Sequence, residues 1–205
     1  MKKRKKVKKG TYGYIRYQKI RTTLVTIGLF VLPLAIFTVG FIQTGTRKNW
    51  FTILAILGCL PACKSLVSMI MILMQKSVGP QVYEQAKEAN GNLTAGYELV
   101  FTAYEHSYPV NTLVVCGDQV LCYTPDEKAD TAYLEKHITR VLSVNGFTSA
   151  QVKVMKDFKK YLQRASDICA KQDHYREGIA FTPDERYPEL SRDELIFHTL
   201  LAISL

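Results

Sequence analysis

The sequence predicts an α+β protein, an N-terminal transmembrane helical hairpin followed by a small mixed α/β cytosolic domain. Three observations predict it. Leu24 to Ile42 runs for 19 positions without a charge. At about 1.5 Å rise per residue this covers nearly the ~30 Å hydrocarbon core of a bilayer. A second apolar stretch, Trp50 to Met74, carries one charge, Lys64, and follows after a short polar turn. Beyond residue 75 the pattern changes to short runs of strand and helix periodicity bounded by Gly, Pro, Asn and Asp. These shifts divide the chain into a basic cytoplasmic tail at 1–21, a two-helix transmembrane hairpin at 22–75, a linker helix and hinge at 76–96, and a cytosolic α+β domain at 97–205.

Composition narrows the class. With 47% hydrophobic and 22% charged residues, the 205-residue chain is neither wholly disordered nor collagen-like. Five cysteines without paired metal-ligand spacing exclude a disulfide-dense secreted scaffold. The net charge of +9 is uneven, because residues 1–21 hold ten Lys/Arg and no acid. Basicity belongs to a tail and not to the fold.

A secretory signal and a hairpin buried in a soluble protein both fit the apolar runs less well. A signal has an apolar core of roughly 7–15 residues and a small-x-small cleavage site. The first run is longer, lacks that site, and is followed by a second run. A buried hairpin would need a larger surrounding core than the remaining ~130 residues provide.

Orientation follows from the distribution of basic residues. The tail, with Lys2, Lys3, Arg4, Lys5, Lys6, Lys8, Lys9, Arg16, Lys19 and Arg21, is expected to stay in the cytoplasm. The turn between the runs carries only Arg47 and Lys48 and takes the outer side. Both termini are then cytoplasmic in a multi-pass protein of the cell membrane. The nearest polyanion to Lys2, Lys3, Arg4, Lys5, Lys6, Lys8 and Lys9 is the bilayer with its anionic headgroups, so lipid binding is expected and nucleic-acid binding is not. Tyr12, Tyr14 and Tyr17 suit an interfacial segment. Lys64 is an intramembrane polar candidate, either functional or, at a kink made by Pro61, snorkelling or lining an oligomer interface. Cys59 and Cys63 share a helix face, where packing is the commonest role.

In the cytosolic part, Gln81 to Asn90 reads as a short polar helix stopped by Gly91, followed by a hinge through Gly96. Tyr97–Glu105, Asn111–Cys116 and Gln119–Thr124 have strand composition, with Gly117-Asp118 as a two-residue hairpin turn. In that register Cys116 faces Gln119, Leu113 faces Cys122, and the two thiols project from opposite faces. Asp130 caps a helix to about Asn145, Gln151–Met155 is a short strand, and Asp157–Ala170 is a second amphipathic helix. Residues 172–190 read as a loop with one short strand near Ile179–Phe181. Ser191-Arg192-Asp193-Glu194 is a capping box for a final helix. That helix is too short to span and packs either on the sheet or at the membrane surface.

Signatures of chemistry are sparse. His106, His137, His174 and His198 are scattered without metal-ligand spacing, and no P-loop, GxSxG or GxGxxG is present. A Cys–His nucleophilic pair would have to be assembled by the fold. No cofactor and no metal site is expected, and no catalytic residue is assigned.

The order α-β-β-β-α-β over residues 81–155 resembles the core of restriction-endonuclease-like and nuclease-related domains. That resemblance implies an acid on the second strand and Glu/Asp-x-Lys on the third. Asn111 stands at the first position, and Val120-Leu121-Cys122-Tyr123-Thr124 offers neither acid nor lysine at the second. Asp118 and Asp126-Glu127-Lys128 imitate the motif only in one dimension. The resemblance thus implies a catalytically empty relative. The start of the chain, Gly45-Thr46-Arg47-Lys48-Asn49 followed by Leu57-Gly58-Cys59-Leu60-Pro61-Ala62-Cys63-Lys64, is similar to two-span membrane proteins of Gram-positive anaerobes, some labelled O-linked GlcNAc transferase-like. It implies membrane architecture alone. No tetratricopeptide repeat accompanies it.

The expectation is an integral membrane protein presenting a non-catalytic module for protein or lipid contact, with its protein partner unknown. A membrane-anchored nuclease-like hydrolase with a non-standard site and a small transport-complex subunit built on Lys64 stay as alternatives, so enzymatic activity is open.

Overall fold

A computed structural model describes residues 7–46, 49–103, 106–179, 181 and 187–205. Lys2, Lys3, Arg4, Lys5 and Lys6 of the tail, Arg47 and Lys48 of the turn, Tyr104, Glu105 and Pro183 lie outside the described residues. The chain divides into two compact units, one of Ile15–Lys76 and one joining the chain up to Tyr14 with Ser77–Leu205.

The first unit is a helical hairpin. α1 (Tyr14–Thr44) and α2 (Trp50–Met74) are long and apolar enough to cross a membrane. Their contacts step by seven residues along both helices. Gly40 meets Phe51, Pro33 meets Gly58, and Thr26 Oγ1 lies 2.7 Å from Ser65 Oγ. Heptad steps keep one stripe of each helix turned to the other. Small residues on that stripe permit the approach, since a Cβ on Gly40 would stand 2.3 Å from Phe51 Cβ. The polar turn is tied by Asn49. It caps α2 by accepting from Thr52 N–H at 2.8 Å and donates to Gly40 O at 3.1 Å.

The second unit is an α+β domain whose four strands stand in the order β1-β2-β3-β4. They are β1 (Thr94–Ala103), β2 (His106–Cys116), β3 (Gln119–Tyr123) and β4 (Gln151–Met155). The first three are antiparallel neighbours, and β3 pairs with β4 in parallel. A parallel pair needs a crossover, which contains α4 (Thr131–Val144). The expected hairpin register holds, with Cys116 opposite Gln119 and Leu113 opposite Cys122.

Helices cover both sheet faces. On one side α4 and α7 (Arg192–Ile203) bury Leu134, Ile138, Leu142, Ile196 and Leu200 against Leu113, Val115, Val120 and Cys122. On the other, α3 (Pro80–Asn90) and α5 (Phe158–Ala170) bury Ala86, Tyr161, Ala165 and Ile168 against Val114, Cys116 and Leu121. Truncating a fully buried side chain such as Ile138 to Ala costs about 2–5 kcal/mol. The two thiols lie on opposite faces, as the register requires.

Several expectations need correction. Gly96 is not in a hinge but inside β1, where the Phe197 ring fills the place of a side chain. The helix expected in the linker belongs to the compact domain and packs on α5. β2 begins at His106 rather than Asn111. The 172–190 segment holds a five-residue helix, α6 (Gln172–Arg176), and neither Ile179 nor Phe181 is in a strand. The final helix packs on the sheet, with its capping box formed by Ser191 and Glu194.

Candidate functional site

The first candidate is built where β1 meets the residues that precede the hairpin. β1 is an edge strand, and exposed edges invite pairing. Tyr97 N–H donates to Gly10 O at 2.8 Å, while Leu205 N–H donates to Val100 O at 2.8 Å. Lys9 Nζ donates to Ser204 O at 2.5 Å, and burial lowers the pKa of its ammonium. Gly10 is buried at φ +79, and a Cβ there would lie 2.8 Å from Leu201 and 3.0 Å from Phe197. Only glycine passes this close in a left-handed conformation. Tyr12 then stacks on Tyr83 of α3 at 4.1 Å. Residues 9–12 are therefore a strap across the domain. Of the expected lipid-binding residues within the described chain, Lys8 is exposed and Lys9 is engaged by Ser204.

Glu98, next along β1, is buried at φ +55, the one non-glycine at positive φ among the described residues. Its Oε1 accepts from Val78 N–H at 3.1 Å. The Glu98–Asn111 pair drops out of the β1–β2 ladder, and the face alternation of both strands inverts there. Tyr97 and Leu99 join opposite cores, as do Val110 and the Thr112–Val114 side of β2. A left-handed residue reverses the side-chain direction, so strain at Glu98 is what turns its carboxylate to the segment that follows α2.

The second candidate is the β2–β3 turn. Asp193, on the first turn of α7, accepts Gly117 N–H at 2.8 Å through Oδ1 and Arg176 Nη2 at 2.8 Å through Oδ2. Arg192 donates to Gly117 O at 2.8 Å and pairs with Asp118, which also accepts from Ser149 Oγ at 2.7 Å. A cavity of about 360 Å³ lies here, lined by Gly117, Arg176, Phe181, Arg192 and Asp193 among others. Its charges satisfy one another. The arrangement locks a turn, and both arginines are committed to it.

A third cluster is a buried polar network under α3 and α5. Tyr161 Oη donates to Asn90 Oδ1 at 3.0 Å, Asn90 Nδ2 donates to Thr112 Oγ1 at 3.2 Å, and Thr112 and Tyr161 hydroxyls lie 3.1 Å apart. Burial raises the Tyr161 phenol pKa. The phenol therefore stays neutral and acts as a hydrogen-bonding strut. Asn90-Gly91 reads locally as a helix stop, and only the apolar run around Thr112 signalled a buried hydroxyl.

The residues of the nuclease-like pattern are not brought together. Asp118 is held by Arg192 and Ser149, and Asp126 caps its own turn through Lys128 N–H at 3.0 Å. Among the described residues no group of three or more His, Cys, Asp or Glu is placed to hold a metal ion. Each histidine lies against a tyrosine: His106 by Tyr108, His137 by Tyr133, His174 by Tyr175 and His198 by Tyr187. Burial pushes the Cys116 thiol up to about 11 and raises Cys122 further, the opposite of an activated nucleophile. Lys64 is exposed on α2, and among the described residues its ammonium has no hydrogen-bond or ionic partner. No family model, curated protein or solved structure matches the chain.

Proposed function

We propose that the protein is a multi-pass membrane protein with both termini in the cytoplasm, whose α+β domain works by binding a protein or lipid partner at the inner face. The observation that carries this reading is the strap. The segment preceding the hairpin and the segment following it are fastened to neighbouring residues of one strand, Tyr97 and Glu98. Flanks held by one domain support an even number of crossings. Ten bases before Thr22 against two in the turn support the cytoplasmic side for that domain.

Lipid contact is assigned to the basic residues Lys2, Lys3, Arg4, Lys5, Lys6 and Lys8, of which Lys8 is described and exposed. Each base near an anionic leaflet contributes about 1 kcal/mol. Binding is favoured over catalysis because Asp118, Asp193 and Arg192 are bound to one another's turns and the Cys116 and Cys122 thiols are buried.

Topology reporters fused in turn to each terminus of the full chain test the reading. Both fusions are expected to report the cytoplasm, in a protein that resists carbonate extraction. Reporters on opposite sides would overturn the orientation, and metal-dependent cleavage of DNA or RNA by the purified chain would overturn the non-catalytic role.

A further inference from the structure

We infer that the outer edge of β4 takes up an extended, acidic segment of another protein as a fifth strand. This names the partner in the binding reading above and rests on it. Strand order leaves β4 at the end of the sheet opposite β1. Gly10 and Leu205 cover the edge of β1, whereas no strand lies beyond β4. In a parallel pair, alternate residues turn both backbone groups to the neighbouring strand. Gln151 N–H donates to Asp118 O at 2.6 Å and Met155 O accepts from Thr124 N–H at 2.9 Å, so Gln151, Lys153 and Met155 face β3. The N–H and C=O groups of Val152 and Val154 therefore point outward. Among the described residues one of these four groups is bonded, and its partner is a carboxylate. Val154 N–H donates to Glu135 Oε1 at 2.8 Å, and the same oxygen lies 3.1 Å from Lys153 Nζ. Lys153 rises from the Met155 face of the sheet and Glu135 from the helix on the other face, so their ion pair closes over the edge. The Lys153 side chain is 65% exposed, which makes the pair a weak clasp. An incoming strand offers Val154 a carbonyl in place of Glu135.

Charge selects the strand. Residues 131–164 carry seven Lys/Arg and two Asp/Glu, while the remainder of the chain beyond Gln75 carries seven and sixteen. Both acids of the basic stretch are committed, Glu135 at the edge and Asp157 as the cap of α5. All seven bases are exposed, among them Lys136 and Arg140 on α4, Lys153 on β4, and Lys156, Lys159 and Lys160 beyond its end. α4 and α5 flank β4 on the two sheet faces, so the open edge lies within a basic border. One lysine is enough to blunt an edge against aggregation. A border of one sign attracts an acidic segment and repels the β4 edge of a second copy, which brings the same charges. RNA matches the charge but has no strand to offer Val152 and Val154, so the open backbone groups favour a peptide.

A fluorescent peptide of alternating Val and Glu, titrated onto the full chain in nanodiscs of neutral lipid, tests this. Saturable binding is expected, with slower hydrogen exchange at the Val152 amide. Binding weakens at least ten-fold with Val152→Pro, whose lost N–H is not a ladder donor, and with Lys153→Glu. Protected amides at Leu113 and Val120 show that each variant keeps its sheet. Equal affinity for a Val/Lys peptide, or for the same Val and Glu residues arranged in two blocks, overturns the inference. So does binding that leaves Val152 exchange unchanged, tighter binding of polyuridylate than of the peptide, or a dimer of the chain that Val152→Pro dissolves. Terminal reporters separate the failures. Absent peptide binding with both termini cytoplasmic overturns this edge alone, whereas a domain found outside the cell overturns the reading on which it rests.

Discussion

Tyr97 and Glu98, adjacent on β1, each hold one of the two segments that flank the apolar hairpin, Tyr97 through its N–H to Gly10 O at 2.8 Å and Glu98 through its carboxylate to Val78 N–H at 3.1 Å. Two neighbouring residues reach opposite flanks because Glu98 is left-handed at φ +55. A regular strand would send the Glu98 side chain elsewhere.

Removing that carboxylate leaves a buried amide unpaired, since Val78 is 5% exposed. Glu98→Leu is expected to cost about 1–3 kcal/mol. Glu98→Gln keeps an acceptor oxygen and costs less. Hydrogen exchange at the Val78 amide checks this: rapid exchange is expected in the Leu variant and protection in the Gln variant.

The strap is tested at Gly10. Gly10→Val adds a side chain toward Leu201 and Phe197 at a left-handed position, so it is expected to release the strap while leaving the sheet intact. The Tyr97 amide should then exchange quickly, with Leu113 and Val120 still protected. Unchanged exchange at Tyr97 would mean that the strap does not shield this edge.

What the sequence makes legible here is what is locally encoded. Apolar runs, the capping aspartates at 130 and 157, and the Ser191–Glu194 box each act within a few residues, and the corresponding elements form. The strap is not local. Gly10 lies in a lysine-rich run that reads as solvated, and the residues that dock it, Phe197 and Leu201, are at the far end of the chain. The first half of β2 is hidden by Pro109, a poor residue for an interior strand. It is tolerated because β3 pairs only with Thr112–Cys116, so Pro109 has a neighbour strand on one side, at Val100. Asn90 is legible as a helix end but not as the acceptor of Tyr161, 71 positions away.

That network gives a third prediction. Tyr161→Phe strips Asn90 Oδ1 of its donor inside the core and is expected to cost about 1–3 kcal/mol in urea unfolding. Thr112→Val removes a second member. Because the groups share partners, the double variant should lose less than the sum of the two singles. Strict additivity would mean that the hydroxyls act separately.

The thiols give a pH dependence whose sign follows from burial. Burial moves Cys116 from an ordinary value of 9.0 up to about 11, so between those values the unfolded chain releases a proton that the folded chain keeps. Ionisation then favours the unfolded state, and the stabilisation present below pH 9 is lost as pH rises toward 11. The urea midpoint of the full chain should fall across that window, and it should fall less in Cys116→Ala. Equal slopes for both proteins would place the titration elsewhere. The same burial protects against alkylation. In native protein at pH 8, Cys169, which is only half-buried, should be the first domain thiol to react, with Cys116 and Cys122 modified only after denaturation.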